Sequence, residues 1–137
     1  MGRILAIDYG LKRTGLAVTD PLRIIATALE TVETRNLIAY LQGYFQKEPV
    51  DQLVVGLPKQ LNNTDTDMTV PVRQLVAALE KKFPNHPVNL VDERFTSSIA
   101  RQAMLSGGMK KKDRRIKGNV DKISATLILQ TYLETRK

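Results

Sequence analysis

The sequence contains no cysteine and a single histidine, His86. The lack of cysteine excludes disulfide scaffolds, cysteine-ligated zinc fingers, iron–sulfur clusters and thiol catalysis. It also fits a reducing compartment, so we expect a cytoplasmic protein. No apolar run approaches the roughly 18 residues of a membrane span, and the first residues, MGRILAIDYG, lack the long apolar segment of a secretory signal. No membrane association is expected.

Aromatic residues are scarce, at 5% of 137 residues, and the 14 acidic residues are outnumbered by 21 lysines and arginines. The resulting formal net charge of +7 favours a polyanionic partner such as nucleic acid, although a merely solvated basic surface has the same composition. The hydrophobic share of 42% is ordinary for a globular protein. The length predicts one domain over residues 1–137.

Hydrophobic patterning predicts five strands and four helices. The strands, two of them nearly continuous apolar runs, are predicted over 3–8, 16–19, 24–32, 52–57 and 88–93. The helices are predicted from a cap at Thr34 to before Pro49, after a cap at Thr69, from Thr96 or Ser97 to about Leu105, and over 120–134. A polar loop is expected at 59–67 and a basic loop at 109–119.

The order of these elements, β-β-β-α-β-α-β-α-α, predicts the fold class. It is typical of an α/β protein with a mixed five-stranded sheet, whose first three strands are antiparallel and whose later strands are parallel, flanked by helices. If the first and last strands are both central, the final helix packs across them. The helix face that does so is expected to carry Asp121, Ala125, Ile128 and Tyr132.

Three acids stand at the ends of elements that this topology brings together. Asp8 ends the first strand, Glu93 ends the last strand, and Asp121 opens the final helix. Because sites in α/β sheets gather at the carboxyl ends of strands, these carboxylates are candidate metal ligands. Hard oxygen donors point to one or two Mg²⁺ or Mn²⁺ ions rather than zinc, and such ions activate water for phosphodiester cleavage. Asp92 alternates to the opposite side of its strand and is interpreted as structural.

Each of the three acids also has a structural interpretation. Asp8 could cap the glycine turn that follows it. Glu93 could pair with Arg94 or Arg3, and Asp121 could be a helix-start acid favoured by the helix dipole. The catalytic hypothesis therefore depends on all three falling at element ends that meet.

Four stretches of the chain resemble the YqgF family, also called RuvX, a branch of the RNase H-like and RuvC-like nucleases. They are AIDYGLKRTGLAVTD (6–20), VVGLPKQLNNT (54–64), LVDERFTSSIAR (90–101) and NVDKISATLILQTYL (119–133). The resemblance implies an RNase H-like fold and a carboxylate set of Asp8, Glu93 and Asp121. It also implies a link to maturation of the 5′ end of 16S rRNA, with Holliday junction resolution as an earlier proposal for the family.

Two positions depart from the pattern of the relatives. Junction resolvases of the RuvC type carry two acids one turn apart at the start of the last helix, whereas here Gly118 stands one turn before Asp121. This departure weakens the resolvase interpretation and the second metal site, unless Asp113 substitutes. Asn63 replaces a glycine common in relatives, and asparagine tolerates the left-handed conformation.

A dense basic segment lies just before Asp121 and is a candidate phosphate-binding surface. The nucleic-acid-binding candidates are Lys12, Arg13, Arg94, Lys110, Lys111, Lys112, Arg114, Arg115 and Lys117. The alternative is a solvated loop that aids solubility. Tyr9, next to Asp8, is the one aromatic residue placed to meet a base.

The sequence thus favours a metal-dependent nuclease that acts on RNA, processes the 5′ end of pre-16S rRNA and contacts pre-ribosomal particles, as a monomer or weak homodimer. A Holliday junction resolvase acting on structured DNA is one alternative. A non-catalytic RNA-binding ribosome-assembly factor is another. A sugar-kinase-like phosphotransferase shares the D-x-G-x-x-x-x-G turn but usually needs two such domains.

Overall fold

A computed structural model describes residues 2–57, 68–92 and 117–135. Its elements are, in chain order, β1 (Arg3–Asp8), β2 (Arg13–Thr19), β3 (Ala26–Glu33), a 3-10 turn (Thr34–Asn36), α1 (Leu37–Lys47), β4 (Val50–Leu57), α2 (Thr69–Lys82), β5 (Val88–Asp92) and α3 (Lys117–Thr135). The predicted helix near Thr96 and the polar loop at 59–67 lie outside the described residues. In the part of the chain that is described, no helix has the length and apolarity needed to cross a bilayer.

The five strands form one mixed sheet in the order β3-β2-β1-β4-β5. β1 pairs antiparallel with β2, and β2 pairs antiparallel with β3. β4 is parallel to both β1 and β5. The mixed sheet is therefore as predicted. The expectation that the first and last strands are both central is wrong, because β5 is an edge strand and β4 separates it from β1.

The sheet is covered on both faces, which explains the continuous apolar runs of its inner strands. Leu5 and Ile7 of β1 pack with α1 and α2 on one face. Ile4 and Ala6 pack with α3 on the other. Successive side chains of a strand alternate between faces, so the inner positions of β1, from Ile4 to Ile7, are all apolar.

Small residues let α3 approach the sheet closely. Ala6 of β1, Ala17 of β2 and Ala125 of α3 are all fully buried in the same cluster. Ile128 and Tyr132 lie in that cluster too, which confirms the predicted helix face at these three α3 positions. Tyr132 also donates a hydrogen bond to Gln52 Oε1 at 2.7 Å.

Several predicted boundaries shift. β2 begins at Arg13 rather than at 16, and β3 begins at Ala26 rather than at 24. The delay in β3 has a local cause, since the Asp20 carboxylate accepts backbone N–H bonds from Leu22, Ile24 and Ile25. This turn holds 20–25 out of the sheet. α3 starts at Lys117, so the end of the predicted basic loop, residues 117–119, is helical.

Candidate active site

Asp8 is half-buried at the last position of the central strand β1. Its register partner on β2 is Gly15. Strand alternation places Asp8 on the α3 face, with Ile4 and Ala6, whereas Tyr9 follows Leu5 and Ile7 on the other face. This carboxylate follows a fully buried run of β1. It lies at the carboxyl end of the strand, which is the end of the sheet where ligands bind in α/β proteins.

The turn after Asp8 is held by residues distant in sequence. A side chain at Gly10 would collide with the backbone oxygen of Arg13, so the turn needs glycine there. The Thr34 hydroxyl donates to the Gly10 oxygen at 2.5 Å and is 2.9 Å from the Thr14 hydroxyl. Thr34 N–H also donates to the Lys12 oxygen at 3.0 Å. These bonds fix the turn, and with it the end of β1.

Thr34 was predicted to cap α1, and this prediction is wrong. The residue before α1 is Asn36, and no side chain caps the helix there. Thr34 instead serves the turn after β1, 24 residues earlier in the chain. No local sequence pattern signals this role, because the partner is brought close only by the β2–β3 hairpin.

The direction of α3 brings its first turns to the same edge as Asp8. Its carboxyl-terminal end lies near the amino ends of β1 and β4, because Tyr132 contacts Gln52 and Leu133 lines a groove with Ile4. Asp121 precedes Tyr132 by eleven residues, about 16 Å along a helix. The span from Gln52 to the end of β4 is also about 16 Å. These similar lengths are consistent with the predicted approach of Asp121 to the carboxyl ends of the strands.

Glu93 follows directly after β5 and lies outside the described residues. In the sheet register, Ile7 is beside Val55, and Gly56 is beside Val91. Asp8, Gly56 and Val91 are therefore level with one another. β1 and β5 are two strand spacings apart, about 10 Å. Gly56 lies between Asp8 and β5 and has no side chain. On the α3 face, β4 therefore places no side chain between Asp8 and β5.

The donor set at this edge suits a hard cation, since it offers carboxylate oxygens and no sulfur. The only histidine is elsewhere: His86 precedes β5 and stacks on Phe45 with ring centres 4.3 Å apart. Within 2–57, 68–92 and 117–135, no three Asp, Glu or His side chains form a cluster.

The predicted basic residues divide into three groups. Lys12 is exposed in the turn after β1, and Arg13 is half-buried at the start of β2, where its register partner is Glu33. Lys117 was predicted in a loop but is the first residue of α3. The others lie outside the described residues: Arg94, Lys110, Lys111, Lys112, Arg114 and Arg115.

A groove of about 660 Å³ lies between the 20–25 turn and the carboxyl-terminal end of α3, at the end of the sheet away from Asp8. A smaller groove of about 350 Å³ is lined by Tyr9, the neighbour of Asp8. Volume alone therefore does not locate the candidate site.

The sequence model of one family, described as "RuvX: Holliday junction resolvase", matches residues 2–135. The chain belongs to the RuvX family. A relative from Phocaeicola vulgatus named "Putative pre-16S rRNA nuclease" is 57% identical over 137 residues, which is all of this chain and 99% of the relative. A relative of the same name from Bacteroides thetaiotaomicron is 53% identical with the same coverage.

Solved structures of RuvC share the fold of this RuvX protein. The Thermus thermophilus RuvC complex with a Holliday junction substrate matches with a TM-score of 0.62 at 15% identity, over 100% of this chain and 98% of RuvC. A second T. thermophilus RuvC structure gives a TM-score of 0.54 at 14% identity, over 98% of this chain and 96% of RuvC. At this identity the likeness concerns the fold, which is RNase H-like as predicted.

Proposed function

We propose that this protein is a divalent-metal-dependent nuclease that hydrolyses phosphodiester bonds in RNA and processes the 5′ end of precursor 16S rRNA. The observation that carries the proposal is membership of the RuvX family together with 57% identity, over the full chain, to a relative named as a pre-16S rRNA nuclease. The half-buried Asp8 at the end of the central strand supports it.

Asp8, Glu93 and Asp121 are the proposed metal ligands. Asp8 lies at the carboxyl end of β1, on the face of the sheet that α3 covers, and Glu93 directly follows the parallel strand β5. When bound, one or two Mg²⁺ or Mn²⁺ ions supply Lewis-acid polarisation of a phosphate oxygen and a nucleophilic water at neutral pH. The chain's own part is to hold two carboxylates at strand ends and a third near the start of α3.

Lys12, Arg13 and the basic segment before α3 are proposed to bind the phosphates that flank the cleaved bond. The net charge of +7 supports this assignment. Arg94, next to Glu93, is proposed to contact the cleaved phosphate itself. We further propose that the protein works in the cytoplasm on pre-ribosomal particles, as a monomer or weak homodimer.

A second candidate function is Holliday junction resolution. The family description and the structural likeness to RuvC favour it. Gly118, at the place where RuvC-type resolvases carry a further acid, argues against it. A resolvase also needs two sites that face two strands of the junction.

A cleavage assay in Mg²⁺ or Mn²⁺ tests the proposal. The substrates are a precursor 16S 5′ leader, a generic single-stranded RNA and a four-way DNA junction. We expect the wild-type protein to cleave the leader. Loss of a residue that only supports a metal ligand costs up to about 100-fold in activity, so loss of a ligand itself should cost at least as much. We therefore expect Asp8→Asn, Glu93→Gln and Asp121→Asn each to reduce cleavage at least about 100-fold.

The matched control is Glu80→Gln, which removes the same charge from an exposed position on α2 and should cleave like wild type. Cleavage of the junction alone would overturn the RNA assignment. Binding of RNA without cleavage in either metal would instead favour a ribosome-assembly factor.

A further inference from the structure

A groove of about 350 Å³ adjoins the candidate site on the α1 and α2 face of the sheet. Its floor is apolar and rigid, because Leu37 of α1 and Leu75 of α2 are buried core residues. Ile38 and Pro71 form parts of its walls. A concave apolar site of this volume is within the range of small-ligand pockets.

Three side chains give the groove its chemistry. Tyr9 is half-buried and offers an aromatic ring, and Gln74 is an exposed amide with two donors and one acceptor. Leu11 is 69% exposed, which is high for a large aliphatic side chain and favours an occupant that covers it. An aromatic ring, aliphatic walls and one amide match a nucleobase, which has a flat π-face and a polar edge.

The position of the groove fits a base that belongs to a nucleic-acid substrate. Tyr9 follows Asp8 directly, about 3.8 Å away between Cα atoms. Because successive side chains alternate, Asp8 and Tyr9 lie on opposite faces of the sheet, both at the end where β1 stops. A nucleic-acid strand whose cleaved phosphate lies at the candidate metal site beside Asp8 can place an adjacent base against Tyr9, at the same end of β1.

Exposed basic residues near the groove also favour a nucleic acid over an apolar peptide. Lys12 and Arg73 are exposed and adjoin the lining residues Leu11 and Gln74 in sequence. Exposed positive side chains suit a ligand whose base is uncharged and whose backbone is anionic.

We propose that this groove binds one unpaired nucleobase of the substrate, next to the phosphodiester that is to be cleaved at the candidate active site. The proposal rests on the proposed nuclease function. Tyr9 supplies the stacking surface and Gln74 reads the edge of the base. The groove thus selects substrates with an unpaired base at the cleavage site over continuous duplex.

Binding to two single-stranded RNA probes of equal length, one with normal bases and one with abasic riboses, tests this proposal. All proteins carry Asp8→Asn so that the probes stay intact. We expect Tyr9→Leu, which keeps an apolar side chain in the core, to weaken binding of the normal probe about ten-fold. Binding of the abasic probe should not change, and Tyr9→Phe should bind both probes like the parent.

The matched control is Tyr44→Leu. Tyr44 is also half-buried and packs against the same core cluster, but it lies near the carboxyl-terminal end of α1. This variant should bind both probes like the parent. Gln74→Ala changes an exposed residue, so the protein should stay folded, and we expect a reduced preference among the four bases on the normal probe.

Equal losses on both probes for Tyr9→Leu would assign Tyr9 a structural role and overturn the proposal, as would no loss on either. If the wild-type protein cleaves RNA in an Asp8-dependent way but Tyr9→Leu shows no difference between probes, only the groove proposal fails. If the difference is present but wild-type protein cleaves nothing, the nuclease function fails and the base site stands. Absence of all RNA binding overturns both.

Discussion

His86, the only histidine of the chain, has a packing role in the described structure. Its ring stacks on Phe45 and meets the edge of Phe83, with ring centres 4.3 and 6.1 Å apart. Its Nδ1 atom is buried and has no hydrogen-bond partner there. Burial lowers the pKa of His86 below its ordinary value of 6.5. The folded protein therefore holds His86 neutral under conditions in which the unfolded chain protonates it.

This pKa shift predicts that the protein loses stability as the pH falls below about 6.5. Below that value the unfolded chain binds a proton that the folded chain does not, so the free energy of unfolding rises with pH between the folded and unfolded pKa values. Urea denaturation from pH 8 to pH 5 measures this dependence. The His86→Phe variant keeps a stacked ring and should be flat over the same range. An equal slope in both proteins would contradict the assignment.

Most elements could be predicted from the sequence because their signals are local. β1 and β4 are continuous apolar runs between polar or proline boundaries, and α1 and α2 carry apolar residues at helical spacing. The position of Asp8 at the end of a buried strand followed from the same pattern. The fold class then followed from element order and the rules for parallel connections.

The remaining features depend on contacts between distant elements. The edge position of β5 is visible in Leu90, which is 41% exposed, but an apolar run cannot tell an edge strand from a central one. The role of Thr34 required the β2–β3 hairpin to bring it to Gly10. Arg23 has a φ of 60°, which is unusual for a residue with a side chain. Its guanidinium donates hydrogen bonds to Gly2 and Asp51, which are distant from it in the sequence. The site assignments at Asp8, Glu93 and Asp121 stay predictions.

The contact between α3 and the sheet predicts a strong response to added volume. Ala125 is fully buried in the cluster with Ala6 and Ala17, so Ala125→Leu must push the helix away or distort side chains. We expect a loss of about 1–3 kcal/mol in the free energy of unfolding, measured by urea denaturation.

The control for Ala125→Leu is Gln130→Leu. This change adds a leucine at an exposed position of the same helix and should stay within about 0.5 kcal/mol of wild type. The Ala125 variant should also lose cleavage activity, since α3 carries Asp121. Wild-type stability in Ala125→Leu would show that the interface has room that the buried alanines do not indicate.

Taken as a whole, the molecule carries its excess charge unevenly. The net charge is +7, and the segment from Lys110 to Lys117 holds six basic residues and one acid. Binding of single-stranded RNA should therefore weaken steeply with salt, because each neutralised phosphate contributes about 0.7 to the slope of log K against log salt concentration.

Replacing Lys110, Lys111 and Lys112 with glutamine should lower that slope by about 2. Fluorescence anisotropy measures the slope between 50 and 200 mM salt, a range over which the Debye length falls about two-fold. The matched control replaces Lys47, Lys81 and Lys82, three exposed lysines at the ends of α1 and α2. It removes the same net charge and should leave the slope nearly unchanged. Equal effects of the two triple variants would assign binding to overall charge rather than to the basic segment.

The position of α3 in the chain has a consequence for biosynthesis. All five strands are translated before residue 117, and β1 pairs with β4 across some fifty residues, yet one face of the sheet is covered by α3. Until that helix emerges, Ile4, Ala6 and Val54 lack their α3 partners Ala125, Ile128 and Leu129. A nascent or prematurely terminated chain thus exposes apolar side chains that the native molecule buries, and such chains are prone to aggregate.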